Sequence, residues 1–148
     1  MAAQAGLQEL FELRMANFNW RPTLRPGFTR PGEWKYSFRR QGKCPILAAA
    51  MAMNPAFAST ASSPNLQINY YDQMARGFRR HHDGANAGSG LIYTFGKYTG
   101  GQLILEMPAG PTVIGCHRKW THFDGRYHHT MTPVESGRRF SAILYDRP

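Results

Sequence analysis

The sequence predicts a mainly β fold, an antiparallel barrel or jelly roll with helical and loop segments at its N-terminal side, and three observations carry that expectation. From Leu66 onward short β-rich runs recur between turn residues, and fifteen Gly and ten Pro fall in short clusters that punctuate the chain. Apolar residues at helical spacing are concentrated near the N-terminus, outside those runs. A length of 148 residues is right for one compact domain with a single core and too short for two complete ones.

Each element has its own reason. Gln4 to Phe18 carries Leu7, Leu10, Phe11, Met15 and Phe18 on one side of a 3.6-residue repeat, an amphipathic helix that buttresses a sheet. Arg21-Pro22 to Pro31-Gly32 reads as an extended loop, and Ile46 to Met53 as a short core helix stopped by Asn54-Pro55. Ser59 to Pro64 is a polar linker, so residues 1–64 form a helical and loop support region and 65–148 the β core. The expected strands are Leu66 to Tyr71, Phe78 to Asp83, Leu91 to Phe95, Gln102 to Glu106, Thr112 to Ile114, Lys119 to Phe123, Tyr127 to Thr132 and Arg139 to Tyr145. Gly100-Gly101 lets the chain turn sharply before Leu103 and Leu105 enter a common face, and a generic hairpin glycine pair reads the same way. Asp124-Gly125 marks a tight turn, and Glu135-Ser136-Gly137 another, with the last strand returning antiparallel to the one before it. There is no internal repeat.

Composition narrows the setting. Cys44 and Cys116 are the only cysteines, without metal-site spacing and too few for a disulfide framework, which points to a reducing compartment. No run approaches the roughly 18 to 20 apolar residues of a spanning helix, and the N-terminus lacks the basic-then-apolar order of a secretory signal. A soluble intracellular protein, cytoplasmic or nuclear, is the expectation.

The chemistry lies in histidines and an acid. His81 and Asp83, two apart on a strand, share a face while His82 points away. His129 opens a segment that a neighbouring strand can carry across the same barrel mouth. Two imidazoles and one carboxylate on one side of an octahedral ion leave three positions open, the facial arrangement of non-heme Fe(II) oxygenases. Arg139 lies ten residues beyond His129, on a strand that can reach the open side of the metal. His117 and His122 read as loop or substrate-side residues.

With these residues in place the chain resembles the 2-oxoglutarate and Fe(II)-dependent oxygenases, whose double-stranded β-helix carries a His-x-Asp pair, a distal His and an Arg-x-Ser. His81, Asp83 and His129 match the metal positions, and Arg139-Phe140-Ser141 matches the co-substrate motif at the family's usual offset after the distal His, an offset that His128 would not give. Asn69-Tyr70-Tyr71 resembles the Asn-x-Tyr of many members. His81-x-Asp83-x-x-Asn86 followed by Gly96-x-Tyr98-x-Gly100-Gly101-x-Leu103 is most similar to small algal and fungal members near the Tet/JBP-like branch. The resemblance runs from Leu66 to Tyr145.

It implies a double-stranded β-helix, a jelly-roll barrel, binding Fe(II) through His81, Asp83 and His129. It implies 2-oxoglutarate as co-substrate and dioxygen as oxidant. The far carboxylate of the keto acid would meet Arg139, whose planar guanidinium gives parallel charge-assisted hydrogen bonds in a dry pocket. Ser141 and Tyr71 would add hydroxyls. Asn86 reads equally as a group bonded to a metal ligand or as a turn former.

A net charge of +9 raises the question of partners. Met1 to Lys43 holds eight of the eighteen Lys and Arg, interleaved with Phe18, Trp20, Phe28, Trp34, Tyr36 and Phe38, and Arg76, Arg79 and Arg80 adjoin the first ligand pair. Cations mixed with aromatics can track a phosphate backbone and stack bases, and the Tet/JBP-like resemblance leans toward a flipped nucleic-acid base as the substrate. An acidic protein substrate answers the same charge. Three classes follow: a 2-oxoglutarate oxygenase acting on a base or a protein side chain, a barrel kept as a non-catalytic binding module, and a cupin-type metal enzyme without a keto acid, which Arg139-x-Ser141 argues against.

Overall fold

The computed structural model describes residues 11–12, 45–74 and 90–146, together with the backbone course of 33–39 and 78–81. Their order is β1 (Glu33–Arg39), α1 (Pro45–Ala52), α2 (Pro55–Thr60), β2 (Pro64–Asp72), β3 (Phe78–His81), β4 (Gly90–Phe95), β5 (Tyr98–Gly100), β6 (Leu103–Met107), β7 (Gly110–Val113), β8 (Thr121–Phe123), β9 (His129–Met131) and β10 (Val134–Asp146). The architecture is mainly β, as the sequence predicts, with few helices among the described residues.

Among the described residues ten strands form two antiparallel sheets. The larger runs β1-β2-β10-β4-β8, with β5 also paired to β10, and the smaller runs β3-β9-β6-β7. β10 is the hub. It pairs with β2 from Arg138 opposite Asp72 to Asp146 opposite Pro64, with β4 from Phe140 opposite Phe95 to Leu144 opposite Leu91, and with β5 near its start.

Alternation along these strands sorts side chains to two faces. One face carries Leu66, Ile68, Leu91, Tyr93, Phe95, Ala142 and Leu144, packed against Ile46, Leu47, Ala49, Ala50 and Met53 and against Phe11. Burying each large aliphatic side chain here contributes about 1.5–3 kcal/mol. α1 is apolar nearly all round because it lies against this face, and it stops where Pro55 removes a backbone donor and begins α2. Asn54 Nδ2 meanwhile donates to the Ala50 carbonyl at 2.8 Å. The opposite face carries Ile92, Ile143 and Tyr71. They pack with Leu103, Leu105, Cys116, Phe123, Met131 and Val134, the material that fills the space between the sheets.

Of the helix expected over Gln4 to Phe18, only Phe11 and Glu12 are described. Both are helical, and Phe11 is fully buried against Tyr93, Phe95 and Trp120. The loop expected over Arg21 to Gly32 lies outside the described residues. The polar linker is shorter than expected: Ser59 and Thr60 belong to α2, with hydroxyls donating to the Ala56 and Phe57 carbonyls, and Pro64 begins β2. No described helix is long and apolar enough to cross a membrane.

Three elements differ from expectation. β1 falls where only helix and loop were expected, and it pairs with β2 from Glu33 opposite Tyr71 to Arg39 opposite Asn65. β5 is an additional short strand. The third difference is topological. Glu135-Ser136-Gly137 makes no turn, because β10 already runs from Val134, with a register shift between Val134 and Ser136 and with Gly137 opposite Tyr98 of β5. Gly137 is there for close approach: its φ is +79°, and a Cβ would run into the Lys97 carbonyl oxygen. β9 pairs with β3 and β6 while β10 lies in the other sheet, so Thr132-Pro133 carries the chain between sheets and closes no hairpin.

Candidate functional site

The site residues sit on strands whose alternation aims them between the sheets. Arg139 faces Tyr71 across the β10–β2 ladder, and Ser141 faces Asn69 on one side and Thr94 on the other. All five are buried. A guanidinium only 2 % exposed is costly unless something compensates its charge and donors. Two rings flank it, since the guanidinium carbon lies 5.8 Å from the ring centres of both Tyr71 and Tyr98. Rings do not satisfy N–H groups, and Arg139 Nε is buried with no hydrogen-bond acceptor among the described residues.

A cavity of about 200 Å³ opens against this arginine, its walls including Thr94, Tyr98, Gly101, Cys116 and His117. The Thr94 and Tyr98 hydroxyls lie 2.8 Å apart. Burial pushes the Cys116 thiol up from its ordinary range, with the positive charge of Arg139 pulling the other way. His117 is exposed at the rim, where its Nε2 lies 3.1 Å from the Gly96 carbonyl oxygen and its ring meets Tyr98 edge-on. Gly101, at φ +60°, is what admits the arginine: a Cβ there would stand 2.7 Å from Arg139 Cδ.

His129 is 3 % exposed, on the same strand face as Met131, and opposes Leu105 of β6. Its Nδ1 lies 2.8 Å from the Tyr127 carbonyl oxygen, which can only accept. Nδ1 therefore carries a proton and donates it to that carbonyl, a contact that metal-ligating histidines commonly make through their other ring nitrogen. Phe123 stands edge-on to the ring at 5.0 Å. The Asp124-Gly125 turn leads into this strand: Tyr127 N–H donates to the Asp124 carbonyl at 3.2 Å and Arg126 N–H to its side chain at 3.0 Å.

On the backbone, His81 of β3 stands directly opposite His129 of β9, next to a register irregularity between Phe78 and His81. Asp83, His82 and Asn86 lie outside the described residues. Among the described residues no three His, Cys, Asp or Glu gather into a metal-holding group. His128 is half-buried and His122 exposed.

Thr94 and Tyr98 are the residues the sequence reading passed over. Tyr98 was quoted only within a motif, and Thr94 sits in the apolar run Leu91 to Phe95. Its signal is a hydroxyl on the face that Ile92 shares, where a wholly structural strand carries an aliphatic residue.

No protein-family model matches the chain, and no curated protein matches its sequence. Its fold is similar to that of a Pseudomonas putida prolyl-4-hydroxylase, with a TM-score of 0.63 and 17 % identity over 98 % of this chain and 88 % of that one. A 2OG-Fe(II) oxygenase family oxidoreductase from Burkholderia pseudomallei gives 0.65 at 13 % identity, over 95 % and 78 % of the two chains. A Trichoplax adhaerens prolyl hydroxylase, in complex with a hypoxia inducible factor peptide fragment, gives 0.58 at 14 % identity, over 98 % and 77 %. The likeness is one of fold.

Proposed function

We propose that this chain is a 2-oxoglutarate and Fe(II)-dependent dioxygenase, its two sheets closing as a double-stranded β-helix around the site. The observation that carries the reading is Arg139, a buried guanidinium with an unmet Nε–H at the wall of a cavity. A donor-rich, permanently charged group in that position calls for an acceptor-only anion, and the far carboxylate of 2-oxoglutarate is one. Ser141 and Tyr71 border the same arginine and belong to the same co-substrate set.

His81, Asp83 and His129 would hold the iron. The Nδ1 hydrogen bond of His129 to a backbone carbonyl suits that role, and His81 occupies the ladder position opposite it. Bound there, iron and 2-oxoglutarate supply the activation of dioxygen that oxidises a C–H bond of the substrate. The chain's own residues do the rest. Arg139 fixes one end of the keto acid so that its other end is presented toward the histidines, and the burial of Tyr71, Thr94 and Ser141 keeps water away.

For the substrate we favour a nucleic-acid base, on the net charge of +9, on Arg79 and Arg80 just before His81, and on the Tet/JBP-like motif around Asp83 and Asn86. A protein side chain is the second reading, and a barrel that binds without turnover the third. Succinate release from 2-oxoglutarate, with and without Fe(II), tests the activity: release that needs iron and is lost in Arg139→Ala supports it. Absence of release from the wild type, or release unchanged in Arg139→Ala, removes it. Methylated oligonucleotides and peptides offered in parallel, read by mass shift, decide the substrate class.

A further inference from the structure

Arg118 is the one non-glycine residue among those described whose φ is positive, at +53°, a conformation that side chains with a Cβ rarely adopt. It is fixed from two sides. On the backbone, Arg118 N–H donates to the Thr94 carbonyl at 2.7 Å, Thr94 N–H donates to the Cys116 carbonyl at 2.9 Å, and Thr94 and His117 form a parallel bridge. On the side chain, Nε and Nη2 donate to the two carboxylate oxygens of Glu12 at 2.8 and 3.1 Å, a two-pronged contact that fixes direction as well as distance. Glu12 Oε1 also accepts from Tyr93 Oη, and the neighbouring Phe11 is fully buried against Tyr93, Phe95 and Trp120.

These contacts join the two faces of the large sheet. Phe11 and Tyr93 belong to the outer cluster, whereas Thr94, Cys116 and His117 line the cavity. One carboxylate therefore holds the residue that directly follows two members of the cavity wall. The ion pair adds little stability, since the Arg118 side chain is 51 % exposed. Its effect is on position: His117 stays edge-on to Tyr98, and Cys116 stays buried.

We propose that Glu12 and Arg118 are positioning residues, a clamp that sets the wall formed by Cys116 and His117 and through it the affinity of the cavity for its ligand. That the ligand is 2-oxoglutarate rests on the oxygenase reading, whereas the hold on the wall does not.

The Cys116 thiol reports on the wall without iron or keto acid. In the full chain carrying Cys44→Ser, iodoacetamide alkylates Cys116 only through local opening, and Glu12→Gln or Arg118→Met raises that rate about fivefold or more while the melting midpoint changes little. Exchanging the partners, Glu12→Arg with Arg118→Glu, rebuilds the ion pair and leaves Tyr93 Oη a partner, because a hydroxyl accepts as well as donates; the rate returns toward that of wild type. A pair that serves stability alone would move the midpoint and leave the alkylation rate in place. With iron present, each single variant raises KM for 2-oxoglutarate about fivefold or more and keeps kcat within about twofold. Alkylation at the wild-type rate in both single variants, or no recovery in a folded exchange variant, overturns the proposal. Absence of iron-dependent succinate release from wild type, alongside Cys116 reactivity that still follows the pair, removes the oxygenase reading and leaves the clamp standing. Iron-dependent release whose KM is unchanged in both single variants does the opposite.

Discussion

The two faces of the large sheet are built from the same strands and do opposite work. On the outer face Leu66, Ile68, Leu91, Tyr93, Ala142 and Leu144 meet α1 and Phe11 in a cluster that is almost wholly apolar. On the inner face, one residue over in the same strands, Asn69, Thr94, Arg139 and Ser141 are just as buried and are polar or charged. A period of two is what allows this: one residue's shift changes the environment from hydrocarbon to a hydrogen-bonding cavity with no change of backbone. The outer face is almost wholly apolar, whereas the inner face, beside its own apolar clusters, holds a donor that the described residues do not satisfy.

Substitutions on the two faces should therefore separate binding from stability. The largest effect belongs to the inner face: Arg139→Met should weaken 2-oxoglutarate binding by about a hundredfold or more, since hydrogen bonds to charged groups contribute about 1.5–3 kcal/mol each. The same change should leave the ligand-free melting midpoint equal or higher, because it replaces a buried donor lacking an acceptor with an apolar chain of similar length. A marked fall in midpoint would break the division of labour. Leu144→Ala on the outer face should do the opposite, costing about 2–5 kcal/mol in denaturant unfolding while the folded fraction binds the keto acid normally.

Gly101→Ala tests the place where the faces depend on each other. Its Cβ would crowd Arg139 Cδ and stand 3.1 Å from Val134 Cγ2, in a backbone region that costs a non-glycine residue of order 1–3 kcal/mol. Both the midpoint and keto-acid affinity should fall; normal affinity would mean that Arg139 can be held another way. The smallest effect is at the surface. The Arg126 guanidinium holds the Asp124 carboxyl below the usual carboxylate range. A depressed folded-state pKa gives stability that is present above about pH 4 and lost as the pH falls through the lowered value. Asp124→Asn should flatten that acid-side slope in melting midpoint against pH, by a small fall near neutrality with none at acid pH.

Much of this was readable along the chain, and the misses have causes. β2, β4, β6 and the core of β10 announce themselves through aliphatic and aromatic runs bounded by turn residues, and the short helix Pro45–Ala52 by an apolar stretch closed by Asn54-Pro55. β1 also carried a signal. Trp34, Tyr36 and Phe38 alternate with Lys35, Ser37 and Arg39, but the same residues read as a basic and aromatic partner-binding stretch, and no local feature decides between the two. Gly137 was read as a turn glycine because positive φ is most often needed in turns. Here it serves a close approach of β5, a strand distant along the chain.

Sequence alone determined the alternation, the Asp124-Gly125 turn, and the candidate residues His81, Asp83, His129, Arg139 and Ser141, since spacing along a strand fixes which side chains share a face. Tertiary structure decided which sheet each strand joins. A two-residue link such as Thr132-Pro133 is long enough for either a hairpin or a crossing, and the outcome is set by which apolar faces must be covered together. It also decided that Tyr98 reaches Thr94 and that Arg139 lies between two tyrosines, because those contacts exist only once β5 and β2 have paired with β10.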